Sequence, residues 1–255
     1  MYARRDIMKG AATLPLAAIL ADPLLASAAA AELEDVTLKL DHGKPITASV
    51  IFPEKTPAPA VVLVHEWWGL NDQIKAVAAD FAREGYAAVA VDLYGGNVGK
   101  TPDEAQRYMK AVNPVEATET LQKWIAWARD NDKTTEKLGT IGWCFGGGWS
   151  LNASLAAPVD ATVIYYGNVA KKADELKALT GPVMGHFADK DKWINKAMVD
   201  GFIEQMKLAG QPAPEVFWYS ADHAFANPTG ARYDQEDAQT AWKRSQKFFA
   251  DSLMG

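Results

Sequence analysis

Short runs of apolar, β-branched residues alternate along the chain with longer stretches whose apolar positions recur every three or four residues. The short runs predict strands at 36–40, 47–52, 60–64, 87–91, 138–142, 161–165, 182–186 and 215–219. The longer stretches predict helices at 73–84, 103–112, 116–131, 146–155, 173–179, 196–209 and 235–253. Some strands, AVVLV at 60–64 among them, are apolar at every position, as expected where both faces of a sheet are covered. The first two alternate more and read as an antiparallel pair leading into a parallel part. Gly85, Pro158, Gly210 and Pro212 stand where helices should stop. This alternation predicts an α/β fold, a mostly parallel central sheet with helices on both faces. No internal repeat or linker interrupts it, so residues 31–255 read as one domain.

The first 30 residues break the pattern. Arg4-Arg5 and Lys9 precede a run of Ala, Leu and Ile, and Ala26-Ser27-Ala28 follows it. A charged start, an apolar run and small residues together describe an export signal of twin-arginine type. Asp22-Pro23 disturbs the run and argues against a permanent membrane span. The expectation is a leader over 1–30, recognised by an export machinery, and a periplasmic or secreted protein not inserted in the membrane. The alternative is an amphipathic helix belonging to the folded domain.

Composition narrows the function. With 49% hydrophobic and 23% charged residues the chain is neither disordered nor membrane-embedded. A net charge of -6, with no basic stripe, argues against nucleic-acid binding. One cysteine in 255 residues excludes an intrachain disulfide and a thiolate metal cluster.

That cysteine lies in GWCFGGG at 142–148, where a strand gives way to a helix. G-x-C-x-G is the nucleophile elbow with sulfur in place of the usual serine oxygen. Glycine suits a turn whose neighbours would collide with a Cβ, and a helix N-terminus favours a thiolate. It also makes the Phe145 N–H an oxyanion donor. A buried cysteine acting as a small apolar side chain is the bland alternative. There is no G-x-G-x-x-G and no phosphate-loop lysine.

A thiol nucleophile is served by a base, and the base by an orienting acid. His223 follows the last strand and is the strongest base candidate; His42 lies in a turn, His186 within a buried strand, and His65 at the end of the third strand. For the acid, Asp189 and Asp191 both lie in the loop after His186. Nucleophile, acid and histidine in that chain order match the α/β-hydrolase fold. No metal-ligand spacing appears, so neither metal nor other cofactor is expected. In this fold the loop His65-Glu66-Trp67-Trp68-Gly69 supplies the second oxyanion N–H, and Glu66 would bring a carboxylate near the thiol.

From about residue 36 to the C-terminus the sequence resembles the dienelactone hydrolase (carboxymethylenebutenolidase) family of α/β hydrolases, cysteine-nucleophile type. The motifs that carry the resemblance are HEWWG at 65–69, DLY at 92–94, GWCFG at 142–146, DKDKWI at 189–194 and HAF at 223–225. It implies Cys144 as nucleophile, His223 as base, Asp191 as acid, Glu66 as the group that helps activate the resting thiol, and Trp67 and Phe145 as oxyanion-hole amides. Where family members carry two arginines that grip a substrate carboxylate, this chain has Gly96 and Asn227. Neither replaces a guanidinium. Arg232 is the nearby cation. The resulting expectation is an ester or lactone hydrolase with a small-molecule substrate, acting through a Cys-His-Asp triad and an acyl-enzyme and not specific for dienelactone. Trp68, Tyr94, Trp143, Trp193 and Phe225 flank the motifs as candidate pocket aromatics. An acyltransferase on the same machinery and a non-catalytic ligand-binding member of the fold are the alternatives.

Overall fold

The structure, a computed structural model, describes residues 14–255. Arg4-Arg5 and Lys9 of the expected leader lie outside the described residues. The chain forms two compact units, the first running to Glu136 and the second from Lys137 to Gly255. The boundary falls inside one strand.

In the first unit β1 (Glu34–Lys39), β2 (Pro45–Ile51), β4 (Ala87–Val91) and β3 (Ala58–Val64) lie side by side in that order. β1 and β2 pair antiparallel with Leu38 opposite Ile46, β2 and β4 antiparallel, and β3 and β4 parallel. All five residues of β4 are buried, which explains its unbroken apolar run.

Among the described residues five helices complete the unit. α1 (Leu16–Ala21) and α2 (Pro23–Ala30) fall within the expected leader. They pack on α3 (Asp72–Arg83), with Ile19 and Ala29 fully buried. The Asp22-Pro23 interruption is a helix restart: Asp22 accepts from the Leu24 N–H at 2.8 Å, and Pro23 occupies a first-turn position where it loses no hydrogen bond. α4 (Pro102–Ala111) and α5 (Pro114–Asp130) start the same way, on Thr101 and Asn113, each followed by proline. Among the described residues no helix is long and apolar enough to cross a membrane.

The second unit is built on four parallel strands: β5 (Thr134–Trp143), β6 (Ala161–Tyr165), β7 (Val183–Ala188) and β8 (Glu215–Tyr219). Between and after them come α6 (Phe145–Ala156), α7 (Ala173–Leu176), α8 (Lys196–Leu208) and α9 (Gln235–Leu253). Alternation along β6 shows how both faces are used. Ile164 joins a buried cluster with Leu151 of α6 and Phe202 of α8. Its neighbour Tyr165 points to the opposite face, where its hydroxyl meets Ser245 of α9 at 2.8 Å.

Because the four strands run the same way, the residues that follow each of them gather at one edge of this unit. Cys144 follows β5, Tyr166 follows β6, Asp191 lies beyond β7, and His223 lies beyond β8. The carboxyl edge of a parallel sheet is where α/β folds place their chemistry.

Candidate active site

Cys144 sits between the last residue of β5 and the first of α6, at φ 55° and ψ -115°. This positive φ is one that a side chain tolerates only when its surroundings impose it. The imposing contacts are backbone ones. The Cys144 N–H donates to the Tyr165 carbonyl at 2.9 Å, and its own carbonyl accepts from Gly147 at 3.0 Å. A Cβ at position 142 would overlap the Gly146 carbonyl, so the glycine before the thiol is required by space.

A buried hydroxyl cluster fixes the helix behind the thiol. Ser150 Oγ lies 3.0 Å from Thr140 Oγ1 and 3.0 Å from the Val163 carbonyl, while Ser154 Oγ lies 2.9 Å from Thr140 Oγ1 and 2.7 Å from Thr162 Oγ1. These bonds tie α6 to β5 and β6 and satisfy groups that would be costly to bury alone. Sequence reasoning misses them, although Ser150 and Ser154 stand one helical turn apart.

The thiol is half-buried. His223 Nε2 lies 3.1 Å from Cys144 Sγ, and His223 Nδ1 lies 2.6 Å from Asp191 Oδ2. The carboxylate can only accept, so Nδ1 carries the hydrogen and Nε2 is presented to sulfur as an acceptor. The other oxygen of Asp191 accepts from the N–H groups of Trp193 at 2.8 Å and Ile194 at 3.1 Å. Burial alone would raise the Asp191 pKa. The His223 hydrogen bond and charge, with those two amides, outweigh it and hold the carboxyl below the ordinary aspartate value. Asp189, the other acid in the same loop, is exposed and accepts from Ser220 Oγ at 3.3 Å.

Two rings flank the imidazole. Tyr166 is fully buried at φ 36°, donates its N–H to the His186 carbonyl at 2.8 Å, and lies 5.2 Å from the His223 ring. Trp193 lies 5.3 Å from the same ring, nearly perpendicular to it, and is 61% exposed. Sequence reasoning also misses Tyr166; the one signal in the chain is a bulky pair, Tyr165-Tyr166, at the mouth of a strand. Phe225 is fully buried between Tyr166 and Tyr219, and Trp143 is buried on Tyr165.

The first unit holds the remaining candidates. His65 is fully buried: Leu93 N–H donates to its Nε2 at 3.2 Å, so Nδ1 carries the hydrogen and donates to the Glu66 carbonyl at 2.6 Å. Burial depresses its pKa, leaving a neutral ring that joins the loops after β3 and β4. The Glu66 side chain is buried, Trp67 and Trp68 lie 4.9 Å apart, and Tyr94 packs on His65 at 4.6 Å.

Neither of the two substituted arginine positions offers a cation. Gly96 has φ 86° and donates its N–H to Asp92 Oδ2. Asn227 is buried, and its side-chain oxygen accepts from the Thr229 N–H at 3.0 Å and the Thr229 hydroxyl at 2.8 Å. Arg232 lies with its guanidinium carbon 5.6 Å from the Trp193 ring centre.

Residues 46–253 match the dienelactone hydrolase family. A carboxymethylenebutenolidase from Pseudomonas putida is 27% identical over 232 residues, covering 85% of this chain and 96% of that protein. A Methylorubrum extorquens protein assigned as a carboxymethylenebutenolidase is 31% identical over 213 residues, covering 77% and 73%. Among solved structures, a Klebsiella pneumoniae subsp. pneumoniae protein assigned as a dienelactone hydrolase superposes with a TM-score of 0.75 at 26% identity. That match covers 86% of this chain and 98% of the other.

Proposed function

Since the chain belongs to the dienelactone hydrolase family, and is thereby a hydrolase of esters or lactones with the α/β-hydrolase fold, we propose that it works through Cys144, His223 and Asp191 and an acyl-enzyme. The observation that supports this most directly is the continuous line Sγ–Nε2 at 3.1 Å and Nδ1–Oδ2 at 2.6 Å, mounted on a positive-φ turn at a strand's carboxyl end.

Cys144 gives its proton to His223 Nε2, and the sulfur attacks the carbonyl carbon of the substrate. The C=O electron pair moves onto oxygen as the C–S bond forms. Phe145 opens α6, and first-turn amides point out of a helix along its axis, so its N–H stabilises that oxyanion. Collapse of the intermediate re-forms the carbonyl and breaks the bond to the leaving oxygen, which takes the proton from the imidazolium. Water then attacks the thioester with His223 as its base; the acid departs and the thiol is restored. Asp191 keeps the imidazole in the required tautomer and stabilises its charged form.

Substrate preference follows from the two missing arginines. With Gly96 and Asn227 committed to backbone turns, neutral esters are favoured over carboxylate-bearing lactones. A panel of aryl esters and lactones, neutral and anionic, tests the reading. Turnover of neutral esters that is lost in Cys144→Ala supports it; turnover that persists in that variant removes it. On the same reading the Arg4-Arg5 leader directs the chain to an export machinery and a periplasmic or secreted location. Fractionation of cells expressing the full chain, with Arg4 and Arg5 intact or changed to lysine, tests that part.

A further inference from the structure

Among the described residues Trp193 is the one exposed large aromatic. An indole carries a large apolar surface with much to gain when another flat ring covers it. Its backbone is held: the Trp193 N–H donates to the same Asp191 carboxylate that holds His223. The ring stands 5.3 Å from the imidazole, and Arg232 lies 5.6 Å from its centre. A solvent-facing aromatic surface on a fixed backbone is therefore set beside the proton donor.

The chemistry says what arrives there. In acylation the leaving oxygen must come within hydrogen-bond reach of His223 Nε2 to take its proton. Whatever that oxygen carries then lies beside the imidazole, whose ring centre is 5.3 Å from that of the indole. We propose that Trp193 is the platform for the alcohol portion of the substrate, selecting esters of flat aromatic alcohols over esters of alkyl alcohols. This rests on the acyl-enzyme reading above. Offset or edge-to-face contact between an aryl leaving group and the indole strengthens binding beyond area burial alone. Arg232 over the ring holds it in place from one side.

The test compares phenyl acetate with acetates of fluorinated alkyl alcohols chosen for equal leaving-group acidity, so that intrinsic reactivity cancels. In the intact protein kcat/KM favours the aryl ester. In Trp193→Leu the aryl-to-alkyl ratio falls about tenfold, and Trp193→Phe restores most of it. A ratio unchanged by Trp193→Leu overturns the proposal while leaving the triad intact. A second measurement separates the platform from turnover. Calorimetric binding of p-nitrophenol to Cys144→Ala is weakened severalfold by adding Trp193→Leu; equal binding overturns the platform, and loss of binding without any esterase activity in the intact protein overturns the hydrolase reading instead.

Discussion

Gly147 and Gly167 pass so close that a Cβ on Gly147 would lie 2.9 Å from the Gly167 Cα and 2.6 Å from the Tyr165 carbonyl oxygen. The first turn of α6 is therefore pressed against the residues that follow β6, and that contact sets both Cys144 and Tyr166. Gly147→Ala is expected to cost about 2–3 kcal/mol in chemical denaturation and to lower kcat as well, because the Tyr165 carbonyl that receives the Cys144 N–H must move. Gly201 in α8 is the control: nothing lies within 4 Å of where its Cβ would stand, so Gly201→Ala is expected to be neutral or stabilising by about 0.5–1 kcal/mol.

Asp191→Asn keeps the size of the side chain and changes what it offers. An amide donating to Nδ1 drives the imidazole proton onto Nε2, where it faces sulfur as a donor instead of an acceptor. Esterase kcat is expected to fall by about 10³–10⁴ with little change in KM. Activity within severalfold of the intact protein would mean that Asp191 has no part in setting the tautomer.

Much of this arrangement is legible in the chain. Strands 87–91, 161–165 and 215–219 and the helix at 235–253 have the bounds that the apolar pattern predicts, because their ends coincide with a change of period. β5 begins four residues early, at Thr134, since residues 134–137 are polar and half-buried or exposed and so leave no apolar mark. The helix predicted at 173–179 stops at Leu176 as a single turn. GWCFGGG announces the elbow, and the structure places His223 rather than His42 or His186 beside the thiol. Preferring Asp191 to Asp189 requires the resemblance, because two aspartates two residues apart differ only in the turn that follows. α1 and α2 fall in the stretch that reads as leader, since an alanine-rich apolar run looks the same whether it is exported or packed on α3.

Buried histidine gives the protein a pH limit away from the site. His186 bonds Tyr219 Oη at 2.9 Å and Ser245 Oγ at 3.0 Å; burial, assisted by the Arg244 charge, depresses its pKa to about 3. The unfolded chain takes up that proton near pH 6.5 and the folded one does not until about pH 3. Between those values the unfolded state binds more protons, so stability falls as pH falls, by at most about 1.4 kcal/mol per unit from this residue. His65, also depressed by burial, acts in the same direction. Asp191 adds its loss only at lower pH, as its depressed carboxyl protonates. Urea unfolding from pH 7 to 4 is expected to show a slope that His186→Gln makes shallower; an unchanged slope would contradict this origin.

The helices at 16–30 give a separate expectation. Full burial of Ile19 alone is worth about 1.5–3 kcal/mol, and Ala29 adds to it. A chain beginning at residue 31 is therefore expected to unfold at lower urea than one beginning at residue 14, by about 2 kcal/mol or more. Equal midpoints would show that the contact with α3 contributes nothing to the stability of the fold.

The most direct measurement is mass spectrometry of the protein quenched during turnover of p-nitrophenyl acetate, followed by peptide mapping. The expected result is one acetyl group on Cys144, present during turnover, lost as substrate is exhausted and absent in Cys144→Ala. Turnover with no acyl group on Cys144, together with undiminished rates in Cys144→Ala, would contradict a sulfur-borne acyl-enzyme.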